Sequence, residues 1–132
     1  MAYRPVRKAG LLIPTGTYNA PDALHLHFIL TDRCSHGMHL LGSVASIRRG
    51  KFHDPTVIIE PGDHPFITQR SYVIYRRFLV QKAAHLTTCV DGMVYQKHDP
   101  ISEDLWERIC DGIEDSEFTP GFVLDYWDEN QT

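Results

Sequence analysis

Leu24-His25-Leu26-His27-Phe28-Ile29-Leu30, followed beyond Thr31-Asp32-Arg33-Cys34-Ser35-His36-Gly37 by His39-Leu40-Leu41-Gly42-Ser43-Val44-Ala45-Ser46-Ile47, is the stretch that decides the fold class. The first run alternates apolar and polar residues and then turns wholly apolar. The second is rich in apolar and small residues. Both read as strands, and the polar stretch between them reads as the loop of a hairpin. Side chains alternate across a strand, so His25 and His27 share one face while Leu24, Leu26 and Phe28 share the other.

Beyond the hairpin, Arg48-Arg49-Gly50-Lys51 is a basic turn, and Thr56-Val57-Ile58-Ile59-Glu60 is a third strand with β-branched residues. Pro61-Gly62-Asp63-His64-Pro65-Phe66-Ile67 reads as a tight, proline-bracketed turn: two prolines fix φ and Gly62 permits φ > 0. Ser71-Tyr72-Val73-Ile74-Tyr75 is a fourth strand, extended or followed by Phe78-Leu79-Val80 and Ala83-Ala84. Val90-Asp91-Gly92-Met93-Val94-Tyr95 sets Asp-Gly between apolar residues, a hairpin signal. Before the first strand, Pro14-Thr15-Gly16-Thr17 and Asn19-Ala20-Pro21-Asp22 are turn chemistry, and residues 1–10 form a flexible lead-in.

The strongest helix signal is late. Ser102 is an N-cap, Glu103 and Asp104 complement the helix dipole in the first turn, and Leu105, Trp106, Ile109, Cys110 and Ile113 recur at helical spacing. Gly112 is expected to weaken the last turn. Phe122 to Trp127 predicts a short docking strand or helical turn, and Asp128 to Thr132 are expected to fray. The outline is α+β, mainly β: five or six short strands forming a small barrel or a strongly bent antiparallel sheet, closed by a C-terminal amphipathic helix. One domain is expected over 1–132, with a β-rich body at 11–98 and an acidic helical segment at 99–132.

The chain has 132 residues, 42% hydrophobic and 23% charged, which suits one ordered domain. No stretch approaches the roughly 18–20 apolar residues of a membrane helix. The apolar run Leu11-Leu12-Ile13 is too short for an export signal, so no membrane is expected and the location is read as cytoplasmic. Cys34, Cys89 and Cys110 are odd in number and form no CxxC pattern, which fits reduced thiols. Charge is divided. Before Asp99 twelve Lys and Arg face six Asp and Glu; from Asp99 onward one Arg faces eleven acids. A basic body with an acidic end points toward a nucleic-acid partner.

Three groups of residues could carry chemistry. Arg48, Arg49 and Lys51 beside Phe52 and His53, and Arg76 and Arg77 beside Tyr72 and Tyr75, combine cationic groups for phosphate with rings for bases. Asp63 and His64 are adjacent candidates for a general-base pair. His25 and His27, with His36 and His39 across the hairpin, are candidate imidazole ligands, but no HExxH motif or cysteine pair accompanies them. RNA cleavage without metal needs a proton acceptor, a proton donor and a cation near the phosphorane, and histidine, serine and arginine supply all three near the hairpin.

The order of elements then matters: the Pro14/Gly16 turn, the strand Leu24–Leu30, a strand ending Val44-Ala45-Ser46, the β segments at Ile58-Ile59 and Ser71-Tyr72-Val73, and a late helix. In this order the chain resembles the PemK/MazF-like toxins of type II toxin–antitoxin systems over residues 11–118. The resemblance implies an SH3-like barrel with a C-terminal helix, a metal-independent endoribonuclease acting on single-stranded RNA without a cofactor, a homodimer, and a cognate antitoxin as partner. Family members usually start the second strand with a catalytic Arg-Pro. This chain has Leu24-His25-Leu26-His27 there, so His25, His27 or Arg48 would take that role. The family's Thr-Ser corresponds to Ala45-Ser46, which carries over Ser46. The resulting catalytic set is His25, His27, Ser46, Asp63 and His64, and the RNA-binding set is Arg48, Arg49, Lys51, Arg76 and Arg77, with no metal. A non-catalytic barrel that binds nucleic acid or a protein, and a histidine-based metal enzyme, stand beside this reading.

Overall fold

The computed structural model describes residues 2–15 and 23–130. The turn signals at Gly16-Thr17 and Asn19–Asp22, and the last two residues, lie outside the described residues. Seven strands form one antiparallel sheet: β1 Gly10–Pro14, β2 Leu24–Ile29, β3 Met38–Ser46, β4 Ile58–Ile59, β5 Ser71–Val73, β6 Leu79–Lys82 and β7 Gln96–His98. Three helices accompany them: α1 Ala83–Asp91, α2 Glu103–Asp115 and α3 Gly121–Asn130. The strand order is β4-β5-β3-β2-β1-β7, with β6 also on β3.

Of the two expected forms, the strongly bent open sheet is the one found; the barrel is not. Among the described residues no pairing joins the outer strands β4 and β7. β3, the longest strand, divides one of its edges between two partners. Its first half, Met38–Leu41, pairs with β6, and its second half, Val44–Ser46, pairs with β5 along the same edge. A 3₁₀ turn at Tyr75–Arg77 separates those two partners. The opposite edge of β3 meets β2 over only His27↔Ser43, Phe28↔Gly42 and Ile29↔Leu41.

Both faces of the sheet are covered, so alternation sorts side chains into two cores rather than into core and solvent. Leu12, Leu26, Phe28, Leu40 and Val44 pack with Leu105, Ile109, Ile113, Val123 and Trp127 from α2 and α3. Leu11, Ile13, Ile29 and Leu41 pack with Leu86 and Cys89 of α1. This explains why β1 escaped the sequence outline: a short apolar run buried on both faces shows no alternation.

Ser102 caps α2 as expected, its Oγ accepting the Leu105 amide at 3.1 Å. Trp106 Nε1 donates to the Leu30 carbonyl at 2.9 Å, and the Arg7 guanidinium lies 4.9 Å from the Trp106 ring centroid. The acidic end is therefore part of the first core, not an appendage to it.

Three local expectations need correction. Asp91-Gly92 does not turn a hairpin. It ends α1, where the Gly92 amide bonds the Thr88 carbonyl at 2.9 Å and Met93 takes φ 62°. Phe122 to Trp127 lie within the regular helix α3, which continues to Asn130. The lead-in is tied down: the Tyr3 amide donates to Asp91 Oδ1 and the Thr87 hydroxyl donates to the Tyr3 carbonyl, both at 2.9 Å.

Candidate functional site

The site begins where the β2–β3 ladder stops. Past His27↔Ser43, among the described residues, Leu24–Leu26 keep a strand partner only in β1, and Val44–Ser46 only in β5. The two strands part, and a cleft of about 640 Å³ opens between them. Leu24, Leu26 and Val44 supply apolar wall, Ser46 and Arg48 flank it, and the stretch Pro65–Gln69 bounds it. Pockets that bind small organic groups are commonly of this size and mixed lining.

His25 borders this cleft and is partly buried, with Nδ1 3.1 Å from Thr15 Oγ1. Burial lowers its basicity, and the positive charges of Arg77 and Arg48 lower it further. Two guanidinium groups distant in sequence therefore act on one imidazole. Gly50, at φ 75°, makes possible the turn that carries Arg48, Arg49 and Lys51. Those three residues, with Arg76 and Arg77, are exposed, and none forms an ion pair among the described residues. Arg76 also borders a small crevice with Phe52, Tyr72 and Phe118.

The other candidates have different partners. His27 is 1% exposed, and its Nδ1–H donates to the His25 carbonyl at 2.9 Å. Alternation puts His25 and His27 on the α1 face, whereas Ser46 shares the opposite face with the core residue Val44. His25 and Ser46 thus reach the cleft from different sides of the sheet. Asp63 Oδ2 accepts the Glu60 amide at 2.9 Å and so caps its own turn. His64 is 2% exposed: Nε2–H donates to the Asp99 carbonyl at 2.7 Å, and Nδ1 accepts the Phe66 amide at 3.1 Å. With both nitrogens bonded to backbone, His64 joins two chain segments and has no nitrogen left for proton transfer. His39 donates from Nδ1 to the Thr31 carbonyl at 3.0 Å. Among the described residues no group of three or more His, Cys, Asp or Glu could hold a metal ion.

Sequence reasoning missed the far wall of the cleft. Phe66, Thr68, Gln69 and His98 line it, and the Phe66 and His98 ring centroids are 5.3 Å apart. The stretch after His64 read as an ordinary turn, and nothing local announced that β7 brings His98 beside it. A separate cavity, about 410 Å³, is lined by Cys34 and Tyr126. Burial raises the Cys34 thiol, but hydrogen bonds from Tyr126 and from the Met38 and His36 amides outweigh it, and the thiol ends below its ordinary value.

Burial pushes the His27 imidazole down to about 4, against 6.5 for an unperturbed histidine. The unfolded chain therefore binds the extra proton first. His27's contribution is fully present above pH 6.5 and is lost as pH falls toward 4, for a total of about 3 kcal/mol. Urea denaturation of the parent and of His27→Asn across this window should show a shallower acid slope in the variant; equal slopes would contradict the assignment.

No family model matches the chain, and no curated protein or solved structure matches it at a significant level. No helix among the described residues is long and apolar enough to cross a membrane.

Proposed function

We propose that the chain binds single-stranded RNA across the end of the sheet where Arg48 and Arg77 approach His25. The observation that carries this reading is the exposed Arg48 guanidinium, free of a carboxylate partner among the described residues, lining a cleft that His25 also borders, with the exposed Arg77 charge near enough to act on His25. Uncompensated positive charge beside exposed rings is the common equipment of single-strand binding. A cytoplasmic setting goes with such a ligand. A homodimer and an antitoxin partner rest on the toxin-family resemblance alone.

Metal-independent endoribonuclease activity is the second reading, and the lowered basicity of His25 favours it. A largely neutral imidazole at pH 7 can accept the proton of the attacking 2′-hydroxyl and, as imidazolium, return it to the 5′-oxygen as the P–O5′ bond breaks, with Arg48 or Arg77 steadying the phosphorane charge. His25 is the one histidine of the expected catalytic set without both nitrogens bonded and without near-complete burial.

The test is a salt titration of RNA binding in EDTA, with the Arg48→Ala/Arg77→Ala variant beside the parent and the RNA inspected for cleavage. Loss of two phosphate contacts should reduce the slope of log affinity against log salt by about 1.4. An unchanged slope, or no binding by the parent at low salt, would sink the proposal. Cleavage by the parent that is lost in His25→Ala would add the catalytic reading; intact RNA would leave binding alone.

A further inference from the structure

We infer that the cleft between the parted strands is a pocket for one unstacked nucleobase of the bound RNA, an inference that rests on the RNA reading above. Main-chain direction is the first ground. Ile29 exchanges hydrogen bonds with Lys8 and Ala9 on the β1 side, while the Leu30 amide donates to Leu40 on the β3 side. Backbone groups alternate along a strand, so those of Leu26 and Leu24 point toward β3. Likewise the Ser43 carbonyl accepts from Ile74 on the β5 side, so the groups of Val44 and Ser46 point toward β2. Among the described residues, the ladder that would join these strands is absent from the register, and their donors and acceptors face the gap. Such groups need partners. A base offers neighbouring donors and acceptors along its Watson–Crick edge, which is the edge proteins read in single strands.

Shape and charge agree. The cleft of about 640 Å³ has apolar wall at Leu26, Val44 and Ile67 for a flat ring. Phe66, 40% exposed, and His98 bring aromatic rings to the far side. Arg48 lines the cleft and also acts on His25 together with Arg77. A sugar–phosphate chain running past these cations would hold its phosphates outside while one base turns inward. An extended peptide would use the same main-chain groups, but the cations, without ion-pair partners among the described residues, favour a polyanion.

The experiment measures fluorescence anisotropy of the full chain with a short single-stranded RNA and with a chain of the same sugar–phosphate backbone lacking bases. The expected result is about tenfold tighter binding of the base-bearing strand. Thr68→Trp and Gln69→Trp, two separate ways to fill the cleft from its far wall, should reduce that preference to about twofold. Both should leave the affinity for the base-free chain and its salt slope unchanged. The Gln69 variant changes an exposed side chain, so the fold is not at stake there. Equal affinity for the two strands, with the salt dependence intact, would overturn the base pocket and leave RNA binding standing. A preference unaffected by both variants would also overturn it, as would displacement of neither strand but capture of an extended peptide. Binding of neither strand would remove the RNA reading and this inference together.

Discussion

Gly112→Ala is expected to destabilise the protein by about 3 kcal/mol or more, the opposite sign from a simple helix argument. Gly112 lies in α2, where alanine ordinarily gains about 1 kcal/mol over glycine. Here, however, an added methyl group would overlap the Tyr75 hydroxyl and come within 2.7 Å of the ring carbon bearing it and 2.9 Å of Val57 Cγ2. Tyr75 cannot easily yield. It is fully buried, its hydroxyl donates to the Ile109 carbonyl at 2.7 Å, and its ring lies 4.7 Å from that of Phe78. Burial also holds its phenol well above the ordinary value, so the hydroxyl keeps the proton it donates to Ile109. Urea denaturation checks the sign directly, and a stabilised variant would contradict the close approach. In a double-mutant cycle, Tyr75→Phe alone should cost about 1 kcal/mol for the lost bond. The pair should cost less than the sum, because the overlapping oxygen is gone.

Asp54→Ala is expected to cost about 3 kcal/mol and to loosen the loop that carries the candidate cations. The side chain is 4% exposed and ties three groups together. Oδ1 accepts the Thr56 amide at 3.0 Å and the Thr56 hydroxyl at 2.5 Å, while Oδ2 accepts the Ser116 hydroxyl at 2.5 Å. Ser116 is the C-cap of α2. The carboxylate therefore fastens the chain just after Arg48–Lys51 to the end of the acidic helix. Removing it strands buried donors, each worth about 1–3 kcal/mol. Asp54→Asn keeps the shape but presents a donor where an acceptor is needed, and should cost less than alanine. Denaturation midpoints, with amide exchange over residues 48–56, would test both parts. A change below about 0.5 kcal/mol, typical of an ordinary surface position, would contradict the clamp.

The site was legible in part. The Arg48–Lys51 turn and Arg76-Arg77 stood out as clustered charge, and their exposure follows from the cost of burying unpaired cations. His25 and His27 stood out as an alternating pair, but nothing local separated them: one borders a cleft while the other is almost fully buried. Asp63-His64 invited a catalytic reading because the residues are adjacent. Their hydrogen bonds run instead to Glu60, Phe66 and Asp99 backbone, and the Asp99 partner is distant in sequence. Gly112 read as a weak helix position because propensity sees only the helix and not the tyrosine packed on it.

By itself the sequence determined the β2–β3 hairpin, the mainly β class, the Ser102-capped amphipathic helix and the split between basic body and acidic end. These depend on alternation, on contacts one helical turn apart and on capping within three residues, all written in short windows. Tertiary structure alone decided that the sheet stays open, that β1 and β7 join it, which histidine is buried, and that a cleft exists at all. Those outcomes depend on where a ladder stops and on what crosses the chain to cover each face, and pairings between distant residues leave no periodic trace in the sequence.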